Sequence, residues 1–146
     1  MTEDTFWLLV DEGRAAAPGP DPGGDHLADH LVGLLSRGPV FMITGFAERL
    51  SEALYRLDRR EYGEDLSSDA FLYTRAAVVA DGRAAYEEVL ADPVLFAPYA
   101  EELIWAEPLL YVPDRAYKDF TGEEWQRETR YSYESYSNRG GWTGGA

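Results

Sequence analysis

One segment, residues 39–60, repeats apolar side chains at intervals of three and four residues over about four helical turns. This spacing is typical of an α-helix with a single apolar face, because 3.6 residues complete one turn. The apolar positions are Ile43, Phe46, Ala47, Leu50, Ala53, Leu54 and Leu57. The segment is the clearest helix in the chain.

The remaining sequence divides into further helical segments, which are separated by proline and glycine. Shorter apolar stripes predict helices over residues 5–17, 25–36, 69–81, 83–91, 98–105 and 108–119. Only residues 109–112 could form a strand, and that strand would have no partner. Pro113 is expected to kink or restart the last helix, and Thr121-Gly122 to end it. We therefore predict an all-α, single-domain bundle of six to seven helices.

Polar residues at the predicted helix starts are candidate N-caps. Asp4 or Thr5 is expected to cap the first helix and Asp25 the second. The pair Ser67 and Ser68 is expected to cap the helix over residues 69–81. These side chains can accept hydrogen bonds from the free N–H groups of a first turn.

The charge of the chain limits its partners. Its 27 acidic and 13 basic side chains give a net charge of −14. Binding to nucleic acid or to anionic lipid requires a basic surface, so neither partner is expected. A basic protein partner fits this charge. The N-terminus lacks the basic region of a signal peptide, and a cytoplasmic location is expected.

The last part of the chain differs from the rest in charge and composition. Residues 121–146 carry three Arg and four Glu, whereas residues 1–120 carry nearly all of the negative charge. We predict a helical domain over residues 1–122 and a partly flexible, aromatic, Gly/Ser-rich tail over residues 123–146.

Several short motifs occur in a fixed order along residues 5–122. They are Phe6-Trp7 with Asp11, Glu12 and Arg14; Asp69 with Phe71 and Arg75; Gly82-Arg83 with Tyr86 and Leu90-Ala91-Asp92-Pro93; and Tyr111-Val112 with Ala116-Tyr117 and Thr121-Gly122. Together they resemble domain of unknown function 4240, an uncharacterised and mainly actinobacterial family. Twelve Arg against one Lys fits a high-GC genome of that kind. The resemblance implies a helical fold and names no reaction.

Arg75 shares a helical stripe with the apolar residues Phe71 and Val78. An arginine in such a stripe is expected to be partly buried, and it must find carboxylate or carbonyl partners. Asp69, Asp11 and Glu12 are the candidate partners. An ion pair that holds the fold is favoured over a ligand-binding arginine.

The two histidines offer the best metal candidate. His26 and His30 are four residues apart, so both imidazoles face one side of a helix. A third histidine is absent, as is a catalytic Glu within the motif. A solvated polar face is the favoured interpretation, so no metal, cofactor or catalytic residue is predicted. The alternative function is a metal-dependent enzyme or small-molecule binder built on His26, His30 and helical carboxylates.

The tail contains residue types that are common at binding hot spots. These are Trp125, Arg130, Tyr131, Tyr133, Tyr136 and Trp142. They could bind a partner, or they could pack back onto the bundle, and the sequence leaves both open. The leading hypothesis is a non-enzymatic protein-interaction or regulatory module. One version of it is an immunity-type inhibitor of a basic partner, which the acidic surface would attract.

Overall fold

A computed structural model of the chain describes residues 1–126 and 128–143. These residues form α-helices and contain no strand. The helices are α1 Glu3–Ala15, α2 Asp25–Leu35, α3 Val40–Arg56, α4 Arg60–Gly63, α5 Ser68–Ala80, α6 Arg83–Ala91, α7 Ala97–Glu101, α8 Glu107–Leu110, α9 Val112–Thr121 and α10 Arg139–Trp142. Two short 3₁₀ helices, Pro22–Gly24 and Pro93–Phe96, precede α2 and α7. The predicted all-α class is confirmed.

The described residues contain ten helices, which is more than the six to seven predicted. The segment predicted as a helix over residues 108–119, with a kink or restart at Pro113, forms two helices, because Pro113 has no N–H to continue the hydrogen bonds of α8. The short helices α4 and α10 account for the remaining difference, since four residues are too few to produce a recognisable apolar stripe. Gly122 follows the last residue of α9 and ends the helix as predicted, and the structure shows it in the left-handed conformation.

The helix caps partly differ from those predicted. The Thr2 side chain, rather than Asp4 or Thr5, accepts the Thr5 N–H and caps α1. The carboxylate of Asp21, not Asp25, accepts the backbone N–H groups at the start of α2. Asp21 reaches them because Pro22–Gly24 form a single 3₁₀ turn directly before α2. Ser67 caps α5 as predicted.

The core lies around α5, which contacts α3, α6, α7 and α8. α1 packs against α2 and α3, and α9 packs against the same two helices. Aromatic rings join these layers: Phe6 of α1 lies 5.0 Å from Phe46 of α3, and Trp7 lies 4.9 Å from Tyr86 of α6. The apolar face predicted for α3 is buried.

None of the helices in residues 1–126 and 128–143 has both the length and the apolar character required to cross a membrane. The longest, α3, has 17 residues, and charged side chains occupy its outer face. A membrane-spanning helix needs about 20 mainly apolar residues.

Candidate functional site

Arg75 lies on α5 with a fully buried side chain, as its position in the apolar stripe predicts. Its Nη1 donates to the Leu54 carbonyl at 2.9 Å, and its Nη2 donates to Ser135 Oγ at 3.0 Å. The guanidinium lies 4.5 Å from the centre of the Phe71 ring. Burial lowers the pKa of Arg75 to about 10, while the negative charge of Asp58 acts in the opposite direction.

The acidic residues predicted to pair with Arg75 lie elsewhere. Asp69 is exposed in the first turn of α5, and Glu12 is exposed on α1. Asp11 instead accepts a hydrogen bond from the Arg83 N–H at 3.2 Å, at the start of α6. The structure therefore corrects the predicted ion pair of Arg75 with Asp69, Asp11 or Glu12. A stripe on one helix indicates that a residue is buried, but it does not indicate which distant segment covers it.

The contact between Asp11 and α6 explains the glycine of the Gly82-Arg83 motif. Gly82 has a φ of 97°, which favours glycine, and a Cβ there would lie within 2.4 Å of Asp11 Oδ1. Glycine therefore lets the carboxylate approach the first turn of α6, where free N–H groups need acceptors. Asp11, which belongs to α1, therefore caps the N-terminus of α6.

Asp58 is a fully buried carboxylate that sequence reasoning did not identify. Its Oδ1 accepts the Tyr136 N–H and the Trp142 indole N–H, both at 2.9 Å, and its Oδ2 accepts the Asn138 N–H at 2.8 Å. All three donors belong to the C-terminal segment, residues 128–143. In the sequence, Asp58 is followed by Arg59 and Arg60 and resembles an ordinary surface charge.

The aromatic residues predicted as hot spots in the tail contact the bundle. The Trp142 ring lies 5.8 Å from Phe71 and 4.8 Å from Tyr136, both edge-to-face. Tyr131 packs 4.8 Å from Tyr55 of α3. These contacts favour the alternative in which the tail packs back onto the helices.

The other predicted tail residues also lie against helices. Trp125 is half-buried and meets Tyr117 of α9 at 5.3 Å, and Tyr133 packs against the core. The Arg130 N–H donates to the Glu48 carboxylate at 3.0 Å. Arg127 and residues 144–146 of the predicted tail lie outside the described residues.

His26 and His30 lie one turn apart on the exposed side of α2. Their neighbour Asp29 accepts a hydrogen bond from Arg115 of α9 at 3.0 Å. Within residues 1–126 and 128–143, no three His, Asp or Glu side chains are grouped as a metal site would require. The structure thus brings no third ligand from those residues to the two histidines.

A short apolar loop, Leu103–Trp105, is exposed between α7 and α8. The side chains of Leu103, Ile104 and Trp105 are 52%, 39% and 41% exposed. The sequence predicted a helix through residue 105 whose apolar side included Leu103 and Ile104, but α7 ends at Glu101. Both residues therefore leave the helical stripe and face outward.

The backbone of the apolar loop is strained at Leu103, which has a φ of 50°. The Leu103 N–H bonds to the Ala100 carbonyl and the Ile104 N–H to the Tyr99 carbonyl, the hydrogen-bond pattern of a Schellman motif. Glycine is the usual residue at the left-handed position, where other residues cost roughly 1–2 kcal/mol. The usual glycine signal for a helix end is therefore missing from the sequence.

Other contacts hold the apolar loop in place. The Trp105 ring meets Tyr73 of α5 edge-to-face at 5.4 Å, and the Ala106 N–H donates to the Tyr73 carbonyl at 3.1 Å. The Tyr111 hydroxyl donates to Glu107 at 2.8 Å, which raises the pKa of Tyr111 to about 12. The loop is thus held against α5 at its C-terminal end.

Acidic side chains surround the apolar loop along the chain. Glu101 and Glu102 are exposed on one side, and Glu107 lies on the other. Residues 84–114 contain seven acidic side chains and neither Lys nor Arg. Along the chain, the exposed apolar group lies among acidic side chains, and in the fold Arg14 of α1 lines the same cavity as Ile104 and Trp105. Exposed apolar side chains with a polar rim mark interaction surfaces.

Comparisons with known proteins identify the family and nothing more specific. No curated protein and no solved structure matches the chain. The profile of the family described as Protein of unknown function (DUF4240) matches residues 1–119. The match includes Asp58, Arg75 and the apolar loop, and it ends before the C-terminal segment. The chain therefore belongs to the family Protein of unknown function (DUF4240).

Proposed function

We propose that this protein is a non-enzymatic interaction or regulatory module, which binds a basic amphipathic helix of a partner protein through the apolar loop. The observation that carries the proposal is Leu103, an apolar residue that is half exposed at a strained position where glycine would relieve the strain. Backbone strain of this kind concentrates at functional sites. Contact with a partner would account for a leucine at this position.

The chemistry of the surface defines the partner. The side chains of Leu103, Ile104 and Trp105 offer an apolar contact, and tryptophan is common at binding hot spots. The surrounding glutamates complement Lys and Arg on the polar side of an amphipathic helix. The net charge of −14 would also accelerate the approach of a basic partner. A basic toxin inhibited by this protein is one partner of this kind.

The experiment uses a defined probe, a synthetic Leu/Lys helical peptide of about 18 residues. Isothermal titration of the full chain should give saturable binding at physiological salt. Leu103→Gly should weaken it by about tenfold or more, which corresponds to about 1.4 kcal/mol. Phe41→Ser is the matched control, because Phe41 is an apolar residue that is 67% exposed on α3, away from the loop. This variant should bind the Leu/Lys peptide with the same affinity as the unmodified protein.

A Leu/Glu peptide of equal length and pattern tests the role of charge. It should not bind, because its acidic side chains would face the glutamates around the apolar loop. Equal binding of the two peptides, or an unchanged affinity of Leu103→Gly for the Leu/Lys peptide, would refute the proposed function.

A further inference from the structure

We propose that a cavity between α3, α9 and the C-terminal segment binds a small organic cation, with an ammonium or guanidinium group on an apolar body. The cavity has a volume of about 420 Å³. This is within the range of small-molecule sites. It lies on elements other than the apolar loop, so the proposal is independent of the proposed function.

A buried hydroxyl group faces this cavity. Ser51 of α3 lines it and is only 4% exposed. The Ser51 hydroxyl makes no hydrogen bond to any residue of the part of the chain that the structure describes. A ligand in the cavity could therefore donate a hydrogen bond to this hydroxyl or accept one from it.

Two aromatic rings form part of the cavity wall. Trp125 and Tyr133 line it, and both are half-buried against the core. The Trp125 ring is held in place by its edge-to-face contact with Tyr117. The faces of such rings attract ammonium and guanidinium groups through cation–π interactions.

Three carboxylates complete the lining, from Asp114 of α9 and from Glu128 and Glu134 of the C-terminal segment. No basic side chain occurs among the described lining residues. Burial raises the pKa of Asp114. Burial, followed by the charges of Asp114 and Glu134, also raises the pKa of Tyr133. The three carboxylates are exposed, and their negative charge would attract a cation to the cavity.

The combination selects one class of ligand. The carboxylates exclude anions, and the aromatic rings with the apolar wall from Leu50 and Leu110 disfavour a small hydrated metal ion. An organic cation can be contributed by a free amine or by a lysine side chain of another protein. The group that is recognised is the same in both, so the test includes two free cations and one lysine derivative as probes.

The test is isothermal titration of the full chain with choline, with 1,4-diaminobutane and with Nα-acetyl-lysine methylamide. We expect saturable binding of at least one cation, and the preferred probe identifies the source. The neutral isostere of choline, 3,3-dimethylbutan-1-ol, should bind at least about tenfold more weakly, because it lacks the charge. Absence of binding by all three cations, or equal binding of the isostere, would overturn the proposal.

Two matched variants locate the site on α9. Asp114→Asn should weaken cation binding by about fivefold or more, while the melting temperature should change little because Asp114 is exposed. Asp119→Asn removes an exposed charge from the same helix and should leave affinity unchanged. An equal loss in both variants would show general attraction to an acidic protein and would contradict a site in the cavity. Leu103→Gly should not alter cation binding.

Discussion

At the level of single residues, the buried charges of Asp58 and Arg75 join the C-terminal segment to the bundle. Asp58 takes three hydrogen bonds from that segment, and Arg75 bonds to Ser135 within it. The sequence indicates that Arg75 is buried, because its neighbours on the stripe are apolar. It cannot indicate that Ser135 bonds to Arg75 or that Tyr136 bonds to Asp58, because these partners are 60 and 78 residues apart in the chain.

Replacing Arg75 by Ala is predicted to lower the free energy of unfolding by about 3–5 kcal/mol. The change would leave a cavity beside Phe71 and remove the positive charge that offsets buried Asp58. Urea denaturation measures the loss. Arg56→Ala is the control, because Arg56 forms only a surface ion pair with Glu52 and should change stability by at most about 1 kcal/mol. Equal effects of the two substitutions would contradict the structural role of Arg75.

Tyr86 makes stability depend on alkaline pH. Its hydroxyl donates to the Ala53 carbonyl at 2.7 Å, and burial raises its pKa above the ordinary value of about 10. Below pH 10 the phenol is neutral in both states, so its contribution to stability is complete. Above pH 10 the unfolded chain ionises first, and stability should fall by up to about 1.4 kcal/mol per pH unit.

Tyr86→Phe tests this dependence. The variant should lose about 1 kcal/mol at neutral pH, because a buried carbonyl loses its donor. Its stability should then fall less steeply than that of the unmodified protein between about pH 9 and pH 11. Identical slopes in urea denaturation across this range would show that Tyr86 does not contribute.

At the level of elements, α7 is followed by Leu103, a leucine in a conformation that favours glycine. A helix end marked by glycine can be read from sequence, as Gly122 was for α9. The end of α7 has no such mark, and for this reason the apolar loop was predicted as helix. The functional surface follows from the same deviation, because ending the helix at Glu101 turns Leu103 and Ile104 outward.

Glycine and alanine at position 103 should separate backbone strain from side-chain contact. Both remove the leucine side chain, but only glycine relieves the strain at a φ of 50°. Leu103→Gly should therefore be more stable than Leu103→Ala by about 1 kcal/mol. Ala84→Gly within α6 should instead lower stability, since glycine destabilises a helix relative to alanine. Thermal melting compares the variants. A higher melting temperature for Leu103→Ala than for Leu103→Gly would contradict backbone strain at position 103.

The C-terminal segment is predicted to be part of the stable fold. Truncation after Gly122 would remove three donors from Asp58 and the Trp142 ring from Phe71. We expect a loss of several kcal/mol, or an insoluble protein. Trp142→Phe, which keeps an aromatic ring but removes the indole N–H, should lose about 1–3 kcal/mol. If the truncated chain had the same melting temperature as the full protein, the tail would not be needed for the fold and could again be interpreted as a binding element.

At the level of the whole molecule, the features that repeat along one helix were predictable, and the features that depend on distant contacts were not. The apolar face of α3 and the break at Pro113 follow from local spacing and from the missing proline N–H. The cap provided by Asp11 and the acceptor role of Asp58 require knowledge of which segments meet. The net charge of −14 is known from the sequence, but only the fold shows which apolar side chains are exposed on the same surface.

The central claim is that the apolar loop, rather than the acidic surface as a whole, binds a basic amphipathic helix. Amide chemical-shift mapping with the Leu/Lys peptide on the full chain tests it most directly, because each residue reports separately. The proposal predicts that shifts concentrate at Tyr99–Glu107 and at Tyr73, which contacts Trp105, while Phe41 and its neighbours stay unchanged. Shifts spread evenly over the exposed carboxylates, or confined to residues 128–143, would contradict it.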